Sequence, residues 1–375
     1  MNEFEFINKL RRRIEITENS GSSFIPQPSS LGSIPQPSSL VRGIGDDAAA
    51  FKSSTGTDVV VTTDLLVEDI DFRRETTRPD LLGHKALAVS LSDIAAMGAR
   101  PRWALLSLGV PQDVWDTDFL DGFYDGIFQL AARYGVTLIG GDVSRTPDKI
   151  VIDSIVIGEC PSQREVFRSG AAPGDQIFVT GFLGDAAAGL RLIERGARLH
   201  SPAAETAPAS LGRPTNDMKG SSVDDASERH PIDHLLLRQL RPEPRVGWGL
   251  LLGEQKLATA MIDISDGLSS DLNHLCAESK VGALIDARKI PIDPLMTELC
   301  GRRALDPLML ALHGGEDFEL LFTVKPENVA KLPKRVDGVA LIRIGEITEP
   351  AAGVKISEGS RTWILEPGGW EHFKA

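Results

Sequence analysis

Val59 to Ala99 reads VVVTTDLLVEDIDFRRETTRPDLLGHKALAVSLSDIAAMGA. Its opening, Val59-Val60-Val61-Thr62-Thr63, is β-branched throughout and predicts a strand that ends at Asp64, with Glu68, Asp69 and Asp71 as further acids beyond its tip. After Pro79 and Asp80 the spacing turns helical. Leu87, Leu91 and Ile94 share one apolar face, while Ala86, Ser90 and Asp93 fall on a second, smaller one. Asp93 thus sits in an almost wholly apolar helix, where a carboxylate must be neutralised or meet a cation. Two readings stand side by side: a metal ion shared by Asp64 and Asp93, or an ion pair from Asp93 to Lys85 or Arg102.

A chain of 375 residues predicts two domains, since one core rarely grows past ~250 to 300 residues. The composition, 42% hydrophobic and 25% charged, is that of a soluble globular protein. A net charge of −13 argues against a nucleic-acid partner and suits a protein that collects divalent cations. The charged segment Met1–Leu10 lacks the apolar centre of a signal peptide, and no apolar run approaches the ~20 residues of a membrane span. Cys160, Cys276 and Cys300 fit neither a disulfide framework nor a zinc knuckle, so a reducing cytoplasm is expected.

Residues 5–18 predict a short amphipathic helix, and the tandem IPQPSSL at Ile25–Leu31 and Ile34–Leu40 an extended, solvated spacer. The expected domains are 1–41 (helix and linker), 42–160 (an N-terminal α/β domain with the phosphate and metal site) and 161–375 (a C-terminal α/β domain). Residues 197–231, rich in Ser, Pro, Ala, Asp and Gly, predict an exposed insertion. Elsewhere glycines and acids recur together: Gly43-Ile44-Gly45-Asp46-Asp47, Gly140-Gly141-Asp142 after a strand Val136–Ile139, Asp263-Ile264-Ser265-Asp266-Gly267, and Gly314-Gly315-Glu316-Asp317.

One terminal Asp would carry no information, because turns and caps use Asp everywhere. Six of them, Asp47, Asp64, Asp93, Asp142, Asp263 and Asp266, would repel one another if they met, and an oxygen-only set selects magnesium over zinc. Magnesium usually bridges carboxylates to substrate phosphates, which points to nucleotide-dependent phosphoryl transfer. No G-x-x-x-x-G-K-[ST] loop and no protein-kinase loop set is present, so the familiar kinase scaffolds are excluded.

Taken in order, Gly43–Asp47, Thr62-Thr63-Asp64, Leu91–Ala99, Gly140-Gly141-Asp142, Arg168-Ser169-Gly170-Ala171, Ile262–Leu268 and Gly314–Asp317 resemble the thiamine-monophosphate kinase family. The wider superfamily includes aminoimidazole ribonucleotide synthetase, selenophosphate synthetase and a hydrogenase-maturation protein. The resemblance implies transfer of the ATP γ-phosphoryl group to thiamine monophosphate, aided by several Mg2+ ions. It implies Asp47, Thr62, Thr63, Asp64, Asp93, Asp142, Asp263 and Asp266 as metal ligands. Tyr124, Gly141, Asp142, Arg168 and Ser265 would contact ATP, and Asp71, Glu316 and Trp370 the thiamine moiety. Asp47, Asp64, Asp93, Asp142 and Asp263 would form the catalytic group. Family members often carry His where this chain has Asp71. The implied fold is two α/β domains, the N-terminal sheets of two subunits pairing into a barrel-like homodimer. The alternatives are another ATP-dependent synthetase of the superfamily and a magnesium- or nucleotide-binding protein without turnover. The reactive Cys of an N-terminal glycine loop or a C-terminal Cys, which two of those relatives would call for, is absent.

Overall fold

The computed structural model describes residues 40–42, 46–53, 56–199 and 229–369. The expected helix over 5–18, nearly all of the proline repeat, Gly43, Gly45, Trp370 and most of the 197–231 insertion lie outside the described residues.

Six strands make the first sheet: β1 (Leu40–Arg42), β2 (Ala49–Lys52), β3 (Thr57–Val67), β4 (Arg100–Val110), β5 (Thr137–Arg145) and β6 (Val151–Pro161), in the order β1-β2-β3-β6-β4-β5. All pair antiparallel except β4 with β5. The predicted strand does not stop at Asp64. It runs on to Val67, because β6 pairs with it from Thr57↔Pro161 to Val67↔Val151 and its alternation continues through Leu65 and Leu66. Asp64 therefore lies in mid-strand, on the same face as Val60, Thr62 and Leu66, while Thr63 and Leu65 face the other way. Likewise Gly140-Gly141-Asp142 lies inside β5 rather than at its end.

Among the described residues three helices accompany this sheet: α1 (Pro79–Ala96), the single turn α2 (Gln112–Trp115) and α3 (Phe119–Tyr134). Pro79 sits in the first turn of α1, where its missing N–H costs nothing. α1 is buried on nearly every side, as a helix apolar all round should be. α3 lies against it backbone to backbone. A Cβ on Gly83 would fall 1.8 Å from the Phe123 carbonyl oxygen, and one on Gly126 1.9 Å from that of Asp80, so no larger residue fits this crossing.

The second sheet comprises β7 (Gln176–Thr180), β8 (Ala258–Asp263), β9 (Gly282–Asp286), β10 (Leu320–Val324), β11 (Arg335–Val336), β12 (Val339–Thr348), β13 (Val354–Glu358) and β14 (Arg361–Ile364). Its order is β14-β13-β9-β12-β7-β10-β8, with β11 beside β12. Around it stand α4 (Asp185–Glu194), α5 (Arg229–Leu240), α6 (Val246–Glu254), α7 (Leu268–Ser279), α8 (Pro294–Arg303) and α9 (Pro307–His313). Among the described residues no helix is long and apolar enough to cross a membrane. The three cysteines are free and buried.

The halves share α1. Its apolar side chains join one cluster with Trp248 of α6, Phe178 of β7 and Phe322 of β10, and the Trp248 indole N–H donates to the Val339 carbonyl at 3.2 Å. Beneath β10 the buried Glu319 carboxylate accepts from Arg245, from Arg238 at 2.9 Å and from the Thr180 hydroxyl at 2.7 Å. A smaller third cluster, with Leu192, Leu235, Leu236 and Met296, lies under α4, α5 and α8.

Candidate active site at the junction of the two sheets

Three short segments bring acids to one point. The loop before β2 supplies Asp47, the last turn of α1 supplies Asp93, and the end of β8 supplies Asp263. Each offers a carboxylate oxygen, and these oxygens all lie within 4.8 Å of one another. Hydroxyls hold them in place: Thr62 Oγ1 donates to Asp93 Oδ2, Ser92 Oγ to Asp263 Oδ2 at 2.6 Å, and Ser90 Oγ to Asp64 Oδ2 at 2.7 Å. The Arg168 guanidinium donates to Asp47 Oδ1 through Nε at 3.1 Å and Nη2 at 2.5 Å. Asp47 Oδ2 is buried with no hydrogen-bond partner. Neighbouring Asp46 accepts from the Arg168 backbone N–H at 3.2 Å and pairs with Arg42 Nε at 3.1 Å.

Neither cation considered for Asp93 reaches it. Buried Lys85 pairs with Glu316 at 2.5 Å, across the two halves, and Arg102 pairs with Glu159 at 3.2 Å. Asp93 is left among acids. Burial first, and then the charges of Asp64, Asp263 and Asp47, push its carboxyl well above the ordinary range. Burial and Asp47 raise Asp263 to about 8, burial and Asp153 raise Asp64 to about 6 against the Ser90 hydrogen bond, and burial and Asp47 raise Asp46 to about 7.

These shifts fix the sign of a pH effect. Folded-state values lie above the ~3.9 of an unfolded Asp, so protonation favours the fold; that contribution is complete below about pH 4 and is lost as the pH rises through about 6 to 8. Without divalent cations, the melting temperature should therefore fall from pH 5 to pH 8 (rough bounds of the same window), and Mg2+ should remove most of the fall. Thermal melts in chelator and in Mg2+ check this; a metal-free melting temperature that is flat or rising over the interval would contradict it.

The other residues singled out by sequence are placed as follows. Thr63 lies on the sheet face opposite Thr62 and Asp64, donating to Asp153 at 2.6 Å. Asp142 is exposed on the edge strand β5, three strands from β3 and so ~14 Å across the ladder, and Gly141 there packs where a Cβ would fall 1.9 Å from the Leu106 carbonyl oxygen. Tyr124 packs on α3, its ring edge-on to Phe123 with centroids 5.6 Å apart. Asp266 precedes α7, and its N–H donates to the buried Asp271 at 3.3 Å. The Ser265 carbonyl accepts from Glu316 N–H at 2.7 Å, and Glu316 holds a left-handed φ of 65° while its carboxylate meets Lys85 and Gln239. Asp71 folds back to accept the Val67 N–H at 2.7 Å, closing the turn after β3. Sequence reasoning passed over Ser92 and Asp271, placed Ser90 beside Asp93 without giving it a role, and offered Lys85 as a partner of Asp93 rather than of Glu316. For the serines a signal existed, two hydroxyls within three residues of an acid on an otherwise apolar helix.

The family model described as AIR synthase related protein, N-terminal domain, matches residues 45–160, and that of the C-terminal domain matches residues 172–356. The chain is similar to the thiamine-monophosphate kinase of Bacillus subtilis (strain 168), 38% identical over 335 residues that cover 88% of this chain and 93% of the relative. Among solved structures it is similar to AaThiL complexed with AMPPCP and TMP, with a TM-score of 0.75 and 30% identity over 99% of this chain and 97% of that one. It is also similar to the thiamine-monophosphate kinase from Stenotrophomonas maltophilia K279a, with a TM-score of 0.67 and 36% identity over 95% and 96% of the two chains.

Proposed function

Because the chain belongs to the AIR synthase related family and, within it, to the thiamine-monophosphate kinases, we propose that the carboxylate cluster is the phosphoryl-transfer site of such a kinase. The protein phosphorylates thiamine monophosphate to thiamine diphosphate at the expense of ATP. The observation that carries the assignment is the meeting of Asp47, Asp93 and Asp263, from both halves of the chain, around a buried Asp47 oxygen that has no partner.

An all-oxygen, mutually repelling donor set of this kind fits Mg2+, which Asp47, Asp64, Asp93 and Asp263 would hold, with the Thr62 hydroxyl beside them. Bound there, Mg2+ supplies the positive charge that neutralises the triphosphate. The chain does the positioning. Ser90, Ser92 and Thr62 fix three carboxylates before substrate arrives, so little reorganisation is needed in the transition state. Arg168, held between Asp46 and Asp47, presents a guanidinium to phosphate oxygens. Glu316, fixed by Lys85, offers a carboxylate to the cationic thiazolium ring. A phosphate oxygen of the acceptor attacks in line and is already anionic, so no general base is required.

Two finer points go with this reading. The outer face of the first sheet leaves Leu65 60%, Ile139 53% and Trp103 37% exposed, which supports pairing of two such sheets in a homodimer. Free, buried cysteines support a cytoplasmic location.

Incubation with MgATP tests the function directly. Thiamine monophosphate should give the diphosphate and ADP in equal amounts by chromatography, and free thiamine should remain unchanged. Phosphorylation of thiamine, or no nucleotide turnover with the monophosphate, would overturn the proposal.

A further inference from the structure

A second group of ligand-type side chains lies under the third apolar cluster and shares no residue with the catalytic carboxylates. Three helices meet there: α4 brings Asp185 in its first turn, α5 brings His234, and α8 brings Asp293 as its N-cap. The side chain of Asp185 is 1% exposed, yet its Oδ1 has no hydrogen-bond partner, and the His234 Nε2 has none either. Asp185 is not spent on capping its own helix, because Asp317 accepts the Gly184 and Ala186 N–H groups at 2.6 and 3.2 Å. Asp293 uses only Oδ1 for its cap, accepting from Leu295 N–H at 2.8 Å, and turns Oδ2 toward His234.

The spacing is that of ligands around an ion. His234 Nε2 lies 3.3 Å from Asp293 Oδ2 and 3.9 Å from Asp185 Oδ2, beyond the ~2.7 to 3.2 Å of a good N–H···O bond. Ligand atoms ~2.0 to 2.2 Å from a tetrahedral or octahedral metal stand ~3.0 to 3.5 Å apart, so a small inward movement completes the set. Charge points the same way. Glu319 is shared by the guanidinium groups of Arg238 and Arg245; Arg238, its Nε 3.7 Å from Asp185, also faces Asp317, while Asp293 adds a further carboxylate beside His234. Asp185 and Asp293 also hold the His234 imidazole above its ordinary value, a proton that a metal ion would displace. One imidazole among the donors favours zinc, cobalt or manganese over magnesium, and the His234 side chain, 35% exposed, leaves an entry path.

We propose that Asp185, His234 and Asp293 form a structural site for one divalent transition-metal ion of the zinc class, tying the N-terminal ends of α4 and α8 to the middle of α5. A metal here fastens the two helices that flank residues 195–228 to α8. It leaves the chemistry of phosphoryl transfer to the other cluster.

Equilibrium dialysis of the full chain against Zn2+, with Mg2+ in large excess to occupy the all-oxygen cluster, tests the site. One Zn2+ per chain is expected for the wild type and for Asp263→Asn. His234→Gln should weaken binding by more than the ~100-fold that loss of a mere supporting partner produces. Wild type that binds no Zn2+, or His234→Gln that binds it as tightly, overturns the proposal. Independently of any variant, Mn2+ bound to the wild type under the same Mg2+ excess should show coupling to an imidazole nitrogen in its electron spin-echo spectrum. Oxygen ligation alone would also overturn it.

Discussion

Asp93→Asn should lower kcat by about 10^3-fold or more, while the metal-free variant melts at or above the wild-type temperature. The two effects have one origin. Asp93 is half-buried among Asp47, Asp64 and Asp263 with no cation on it, so its negative charge is held against repulsion that only a bound metal relieves. Asparagine keeps the shape and can still accept the Thr62 hydroxyl bond. It removes the repulsion together with the ligand. MgATP, which should raise the melting temperature of the wild type, should then raise that of the variant little or not at all. A structural ion pair would behave in the opposite way, costing ~3 to 5 kcal/mol when broken and leaving the response to MgATP intact. Melting curves with and without MgATP, alongside single-turnover rates, separate these outcomes. A variant that is destabilised when metal-free yet responds normally to MgATP would remove Asp93 from the metal set.

Glu319→Gln should have the largest effect on stability, a loss of ~3 to 5 kcal/mol in urea unfolding. Glu319 is fully buried and accepts from Arg245, Arg238 and Thr180, and the Thr180 hydroxyl oxygen in turn accepts the Leu320 N–H at 2.8 Å. Gly181 makes room for it: a Cβ at that position would fall 2.1 Å from Glu319 Oε1. Neutralising this carboxylate takes the paired anion from Arg245 and leaves Arg238 with the more distant Asp185, at 3.7 Å, in the centre of the second half. Its pH dependence runs opposite to that of the catalytic cluster. Burial alone would raise the Glu319 carboxyl, but Arg245 and Arg238 outweigh it and hold the group below the ordinary value. The stability it contributes is therefore present above the unfolded value of ~4.3 and is lost as the pH falls through the lower folded one. A loss under ~1 kcal/mol, the scale of an exposed pair, would show that the two arginines find other partners.

The strand and helix of residues 57–96 could be read from side-chain periodicity, because β-branched residues and helical apolar spacing act over a few residues. The place of Asp64 could not. An acid inside a strand looks like a strand end until the partner strand β6 is known, and that partner lies far along the chain. The same holds for Asp142, read as a strand terminus and found within an exposed edge strand. That acids would gather was legible in part: Asp47 and Asp263 stand in glycine- and acid-rich segments and do meet, whereas Asp142 of the same pattern lies apart. Which hydroxyl holds which carboxylate was not, because Ser92 and Asp263 meet only when the two halves dock. Asp71 shows a further limit. Composition marks it as one acid among several, whereas its geometry makes it the closure of a turn.

The sheet order has a consequence for synthesis on the ribosome. β8, which carries Asp263, is the last strand of its sheet and, among the described residues, has β10 as its one neighbouring strand, and β10 ends at Val324. At ~5 to 20 residues per second, the ~60 residues between Asp263 and Val324 take about 3 to 12 s to translate. During that interval Asp47, Asp64 and Asp93 have already emerged, but their third wall has nothing to pair with. The nascent chain is therefore unable to turn over nucleotide until most of its length has been made, and competence arrives with one late strand.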